Sequence, residues 1–193
     1  MTKRPQQPPT GARKNDMKDA DLAVLAQAGN REAFGELVNR YVGQARRVAR
    51  AVLREPADAD DAVQDAFLSA LRNLGRFDPG RPFGPWLLRI VANAATDRLR
   101  RRRVRAVEPI GPEMATHEAG PDRVAERAAL GEALRAALQT LPERQRVAVV
   151  LFDVEGYSHR EIAEVLGVPE GTVRSHVFHA RRALREALTP WRA

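Results

Sequence analysis

The chain has no cysteine. That excludes disulfides, thiolate zinc sites, cysteine nucleophiles and any oxidant response through its own thiols. Aromatic residues make up only 5% of the 193 residues, and no apolar run is long enough to span a bilayer or to form the hydrophobic part of a signal peptide. The expectation is a cytoplasmic protein without membrane insertion. No Gly-rich phosphate loop, cluster of metal ligands or Ser/His/Asp arrangement stands out, so the chain is not expected to be an enzyme or to hold a metal or cofactor.

What is there is 44% hydrophobic residues, enough for real cores, with an abundance of Ala, Leu and Arg that favours helices over a β-fold. The length allows one large or two small domains. Net charge is +7, and residues 1–18 carry +4 of it, from Lys3, Arg4, Arg13, Lys14 and Lys18 against Asp16. The rest is spread in local basic and acidic blocks, which argues for patterned surfaces and an anionic partner.

The most structured stretch runs from Leu141 to Leu188 and reads as three helices. Leu141-Pro142 opens the first, over Glu143–Phe152. Ser158 and Glu161 have the spacing of a capping box at the start of the second, which Gly167 stops. The third begins at Pro169 or Glu170, with Val173, Val177, Ala180 and Leu184 as its inward stripe. Two helices, a tight glycine turn and a basic third helix make a helix-turn-helix. Arg174, Ser175, Phe178, Arg181, Arg182 and Arg185 lie off the apolar stripe and suit base edges and phosphates; the plainer alternative is a solvated basic helix.

Upstream, residues 1–18 have no apolar stripe and read as a disordered basic tail. A short helix from Asp19 or Asp21 ends at Gly29, and a second, capped by Asn30, runs to about Leu53. A third covers Asp58–Leu74, with Val63, Ala66, Phe67, Ala70, Leu71 and Leu74 toward a core. On its other side Asp61, Gln64, Asp65 and Leu68 form a stripe. Such a stripe alone is ordinarily a solvated face; Leu68 tilts it toward a docking surface for a basic partner. A metal site from Asp58, Asp60, Asp61 and Asp65 lacks further ligands nearby.

A loop rich in Gly and Pro, with Phe77 and Phe83, leads to a long helix from Trp86, which is read as core. Arg89, Asn93, Thr96, Arg100 and Arg103 make a polar stripe on it, and six arginines fall between Arg98 and Arg105. Such a run is often only a solvated helix end, but after an aromatic loop it suits single-strand binding. Residues 106–122 are Pro- and Gly-rich with Glu108, Glu113, Glu118 and Asp122 and no Lys or Arg, a flexible acidic linker in which His117 has no role. Arg123–Gln139 forms a further helix, with Val124, Ala128, Leu130, Leu134 and Leu138 available to pack on the helix-turn-helix.

Four stretches together resemble the extracytoplasmic-function (ECF) group of bacterial sigma factors, the minimal two-domain RNA polymerase sigma subunits. They are AFGELVNRY (33–41), DADDAVQDAFLSAL (58–71), FGPWLLRIVANAATDRLRRRR (83–103) and the helix-turn-helix from Leu141. The resemblance implies an all-α fold of two small helical domains joined by the acidic linker: 19–105 for polymerase binding and −10 melting, 123–193 for −35 recognition. It implies an alternative sigma factor that binds core RNA polymerase and directs promoter-specific initiation, with no cofactor of its own. Asp61, Gln64, Asp65 and Leu68 would meet the polymerase clamp helices. Phe77, Phe83, Arg89, Asn93, Thr96, Arg100 and Arg103 would serve −10 melting, and Thr172, Arg174, Ser175, Phe178, His179 and Arg182 would read −35 DNA. Partners would be core polymerase and promoter DNA, and many members of the family also have an anti-sigma factor. The chain departs from the family at Pro82 and Pro85, where small or hydroxyl residues are usual, and at His176 and His179, often Arg. The rival reading is a stand-alone helix-turn-helix regulator that needs no polymerase.

Overall fold

A computed structural model describes residues 17–105 and 123–191. The expected basic tail, apart from its last two residues, and the whole linker lie outside the described residues. Eight α-helices and no strand occur among those described: α1 (Asp19–Gln27), α2 (Arg31–Val52), α3 (Pro56–Asn73), α4 (Phe83–Arg105), α5 (Arg123–Thr140), α6 (Glu143–Val149), α7 (His159–Leu166) and α8 (Glu170–Ala187).

Local chemistry sets the boundaries. The Asn30 side chain accepts from the Ala33 N–H at 3.0 Å and starts α2. Pro56 occupies the first turn of α3, where no intrahelical donor is needed. α4 begins three residues earlier than the sequence suggests, at Phe83, because Pro85 still falls within a first turn. Ser158 and Glu161 complete the expected capping box, and Gly167 stops α7 with φ +63°. α6 continues into a π-turn over Val150–Val154 rather than extending to Phe152 as regular helix.

α1 to α4 pack as a bundle. Asp19 ties α1 to α2, accepting from the Tyr41 hydroxyl and, at 2.8 Å, from Arg40. Gln27 donates to the carbonyls of Leu74 at 2.9 Å and Phe77 at 2.8 Å, anchoring the loop before α4. The C-terminal helices do not form a separate core. Leu151, Ile162, Val165, Val173 and Val177 belong to the same buried cluster as Leu22, Leu37, Leu87 and Val91. Full burial of each such side chain is worth about 1.5–3 kcal/mol. A smaller cluster of Leu141, Val149 and Ala180, flanked by Leu138 and Leu184, holds α5 to α6 and α8.

The two halves therefore meet in a seam, with α6 and the π-turn on α2 and α7 on α4. Polar links cross it. Tyr157 donates to Gln44 at 2.9 Å. Arg47 forks onto Glu155, one of the two contacts at 2.9 Å. Arg81 meets Glu164 at 2.9 Å, and Thr96 donates to Glu143 at 2.6 Å. The approach is closest at Gly84, where a Cβ would stand 2.5 Å from the Tyr157 hydroxyl and 3.0 Å from the Tyr41 ring.

Three leucines expected in the interior are on the surface. Leu71 is 49% exposed, Leu130 41% and Leu134 40%. α3 needs only its Ala- and Val-rich edge to pack on α4, and α5 touches the rest through its C-terminal turn, at Ala137 and Leu138. The side chains of Val124 and Ala128 lie outside the described residues.

Gly167→Ala should lower stability by about 1 kcal/mol, the cost of a left-handed conformation for a residue with a Cβ. Its neighbour Arg89 would be no nearer than 4.0 Å, so no clash adds to it. Urea denaturation followed by helical circular dichroism measures the difference. An unchanged midpoint would contradict the role given to this turn.

Candidate nucleic-acid interface

Three surfaces collect the residues singled out by sequence. The first lies on α3. Asp61, Gln64, Asp65 and Leu68 are all exposed, Leu68 at 48%, and Leu71 extends the apolar part of the stripe. The carboxylates are anchored from behind by α4. Arg98 contacts Asp58 at 3.0 Å, Asp61 at 2.5 Å and Asp65 at 3.8 Å, while Arg102 meets Asp58 at 2.9 Å. The hydrogen bond to Asp58, opposed by partial burial, raises the Arg98 pKa above its ordinary value. Asp60 pairs with Arg46 at 3.1 Å. These carboxylates thus have arginine partners rather than the geometry of a cation site. Arg98 is the residue that sequence reasoning missed: it lies 37 positions from Asp61, beyond any helical periodicity.

The second surface is the polar stripe on α4. Arg89, Asn93 and Arg100 are exposed and Thr96 is half-buried. The stripe faces the C-terminal half across an open space: Asn93, Thr96 and Arg100 line a cavity of about 610 Å³ whose opposite wall carries Glu143, Arg144 and His176 of α6 and α8. Arg89 lines another, of about 480 Å³, with Arg76, Arg81 and Glu164. The helix-turn-helix therefore borders the stripe and leaves Arg89, Asn93 and Arg100 exposed. Arg103 contributes backbone to α4, and its side chain lies outside the described residues.

Phe77 and Phe83 are placed differently from the sequence expectation. They are 4% and 2% exposed and pack edge-on with centroids 5.3 Å apart, between Tyr41 and Trp86. With so few aromatics in the chain, the core takes these two, and they support the loop from below instead of presenting rings to a strand. Burial, with the Asp19 hydrogen bond next, raises the Tyr41 pKa; burial and the nearby carboxylates of Glu161 and Glu155 push that of Tyr157 up to about 12. Both phenols remain donors at neutral pH.

The third surface is the outer face of α8. Arg174, Ser175, Phe178, His179 and Arg182 are exposed, Phe178 at 63%, and Thr172 is half-buried. Arg174 and Arg182 are held only by exposed pairs along the helix, with Glu170 at 2.5 Å and Glu186 at 3.0 Å. Such pairs contribute about 0–1 kcal/mol and give way readily to a phosphate. Arg181 is different. It bonds both carboxylate oxygens of Asp153, at 2.9 Å for one of them, and lies 4.9 Å from the Phe152 ring centroid. It fixes the π-turn to α8. Arg174, Phe178, Arg181 and Arg182 border an open groove of about 700 Å³.

Comparison with known proteins agrees with this geometry. Residues 37–105 match the model of sigma-70 region 2 and residues 131–184 that of sigma-70 region 4. The ECF RNA polymerase sigma factor SigM of Mycobacterium tuberculosis is 42% identical over 178 residues, 91% of this chain and 87% of that protein. The RNA polymerase sigma factor CnrH of Cupriavidus metallidurans is 38% identical over 183 residues, 89% of this chain and 95% of that protein. The structure of CnrH in complex with the cytosolic domain of CnrY superposes with a TM-score of 0.66 at 33% identity, over 91% of this chain and 99% of that one. The sigma factor RpoE of Bartonella quintana, in complex with the anti-sigma factor NepR, gives 0.66 at 27% identity, over 81% of this chain and 96% of that one. The chain belongs to the ECF sigma factors of the sigma-70 family, alternative sigma subunits that direct RNA polymerase in transcription initiation. It is a regulatory, DNA-binding class of protein, and no described helix is long and apolar enough to cross a membrane.

His176, on the wall facing the stripe, offers a test of the contact between the halves. Its Nε2 is out of contact with solvent and meets no hydrogen-bond partner among the described residues. Desolvation, then Arg144 and His179, lower its pKa below the usual value of about 6.5. The neutral form is favoured in the closed structure, so its contribution to stability is full above about pH 6.5 and is lost as pH falls through the lowered folded value. The fall in melting temperature between pH 7.5 and pH 5.5 should be smaller for His176→Gln than for the wild type, to be read by calorimetry at about those two values. Equal falls would mean that this imidazole titrates freely.

Proposed function

We propose that the three surfaces divide the work of initiation. Residues 19–105 form the polymerase-binding and −10 unit, and residues 123–193 form the −35 unit. Asp61, Gln64, Asp65 and Leu68 dock on the basic clamp helices of core polymerase, with Leu71 widening the apolar contact. Arg89, Asn93, Thr96, Arg100 and Arg103 track the melted −10 strand. Thr172, Arg174, Ser175, Phe178, His179 and Arg182 read −35 DNA in a major groove. The protein works in the cytoplasm, catalyses no reaction itself and supplies binding energy to an enzyme that does.

The observation that carries this reading is the exposed combination of carboxylates and leucine on α3, held in place by Arg98. A solvated face needs neither Leu68 and Leu71 in the open nor a cation behind it. Family membership displaces the stand-alone regulator, which has no use for such a surface. The bond from Thr96 to Glu143 and the shared cavity place the helix-turn-helix beside the α4 stripe, so room for a strand along the whole stripe needs the two halves to part. The solved relatives CnrH and RpoE are each bound to another protein, CnrY and the anti-sigma factor NepR, so an anti-sigma partner that favours the closed form belongs to the same reading.

The test separates docking from folding. Asp61 is bonded tightly to Arg98, so its reversal would also disturb α3 against α4. Asp65 lies 3.8 Å from Arg98 and Leu68 is 48% exposed, so Asp65→Lys and Leu68→Asp leave the fold intact. Each should weaken co-purification with core polymerase by about tenfold or more, the cost of losing a central contact. Run-off transcription should fall in parallel. Undiminished polymerase binding by both variants, with helicity unchanged, would contradict the assignment.

A further inference from the structure

The cleft between α2 and the C-terminal half contains a cavity of about 430 Å³ that the promoter and polymerase surfaces do not use. Its volume is that of a small-molecule site. Arg50 on α2, Arg54 just after it and Arg135 on α5 converge on this cavity, and none of the three has a carboxylate partner among the described residues. No carboxylate among the described residues lines the cavity, and Glu155 across the seam is taken by Arg47. The floor is apolar, built by Leu53, Leu138 and Val150, and Arg146, only 7% exposed, lies within it and donates to Gln139.

Three unneutralised guanidiniums around one cavity repel one another, and an anion removes that repulsion while accepting their hydrogen bonds. An inorganic ion would leave the apolar floor unfilled. A purely apolar molecule would leave the arginines unmatched. We propose that this cleft is a binding site for an amphipathic organic anion, a carboxylate or phosphate ester on an aromatic or hydrocarbon body. The anionic head lies among Arg50, Arg54 and Arg135, and the body rests on Leu53, Leu138 and Val150. Because α2 and α5 both line the cavity, such a ligand touches both halves at once and favours the closed arrangement over any open one.

The probe is 1-anilinonaphthalene-8-sulfonate, an anion on an aromatic body, titrated by fluorescence into the full chain. N-phenyl-1-naphthylamine serves as its uncharged counterpart and inorganic phosphate as the head alone. The expected result is saturable binding at one site per chain, weakened about tenfold or more by Arg50→Ala/Arg54→Ala and also weakened by Arg135→Ala. The uncharged compound should bind at least about tenfold less tightly, and phosphate should compete only at millimolar concentration. Circular dichroism and melting temperature confirm that the variants, all at exposed arginines, remain folded. Equal affinity in wild type and the double variant, or equal binding of the uncharged compound, would overturn the proposal. So would a gain of about tenfold on neutralising Glu108, Glu113, Glu118 and Asp122, since the chain's own acidic segment would then be the occupant. None of these readouts involves polymerase or promoter DNA, so the proposal and the functional reading fail separately.

Discussion

The arrangement depends on how closely the π-turn region comes to the first turn of α4. Tyr157 reaches across the seam to Gln44 and lies over Gly84, where any side chain would collide with it. Beside it the Glu155 side chain is only 3% exposed and is held by Arg47. The Arg47 side chain is 50% exposed, so solvent screens the pair from one side while Glu155 depends on it from the other. Arg81 to Glu164 is a more solvated pair, and Thr96 to Glu143 is a part-buried hydrogen bond. The seam is packed on both sides, with α6 and the π-turn against α2 and α7 against α4.

The seam gives the two proposed DNA surfaces different surroundings. The outer face of α8 is open to solvent, and its arginines are restrained only along their own helix. The α4 stripe shares a cavity with α6 and α8, the latter being the helix that carries the outer face. A single rigid-body separation would widen access to the α4 face without altering the outer face of α8, and the acidic stripe on α3 lies outside the seam.

Much of this was legible in the sequence where the physics is local. Ser158, Glu161 and Gly167 announce the cap and stop of α7 because both act within a few residues. Val173, Val177 and Ala180 announce the inward face of α8 by their spacing. The exposed Asp61, Asp65 and Leu68 follow from the same periodicity. What failed was non-local. Nothing near Phe77 and Phe83 in sequence says that Tyr41 and Trp86 will enclose them. Leu71 fits the inward stripe of α3, yet α4 covers only the neighbouring alanines. The two helical regions are as the sequence implies, but the seam between them joins residues more than 100 positions apart, such as Arg47 and Glu155, which no local pattern announces. The run of arginines after Asp97 reads as one basic surface, but Arg98 and Arg102 are spent on Asp58.

The central claim is that this closed form is the resting state and that transcription requires it to open. The chain has no cysteine, so Asn39→Cys on α2 and Arg160→Cys on α7, both exposed, give two unique positions for spin labels. Pulsed dipolar spectroscopy then reports the distance between the halves. The free protein should give one narrow distribution, replaced by a longer one once the chain is assembled with core polymerase on a promoter that yields run-off transcript. The same narrow distribution in the transcribing complex would contradict the account.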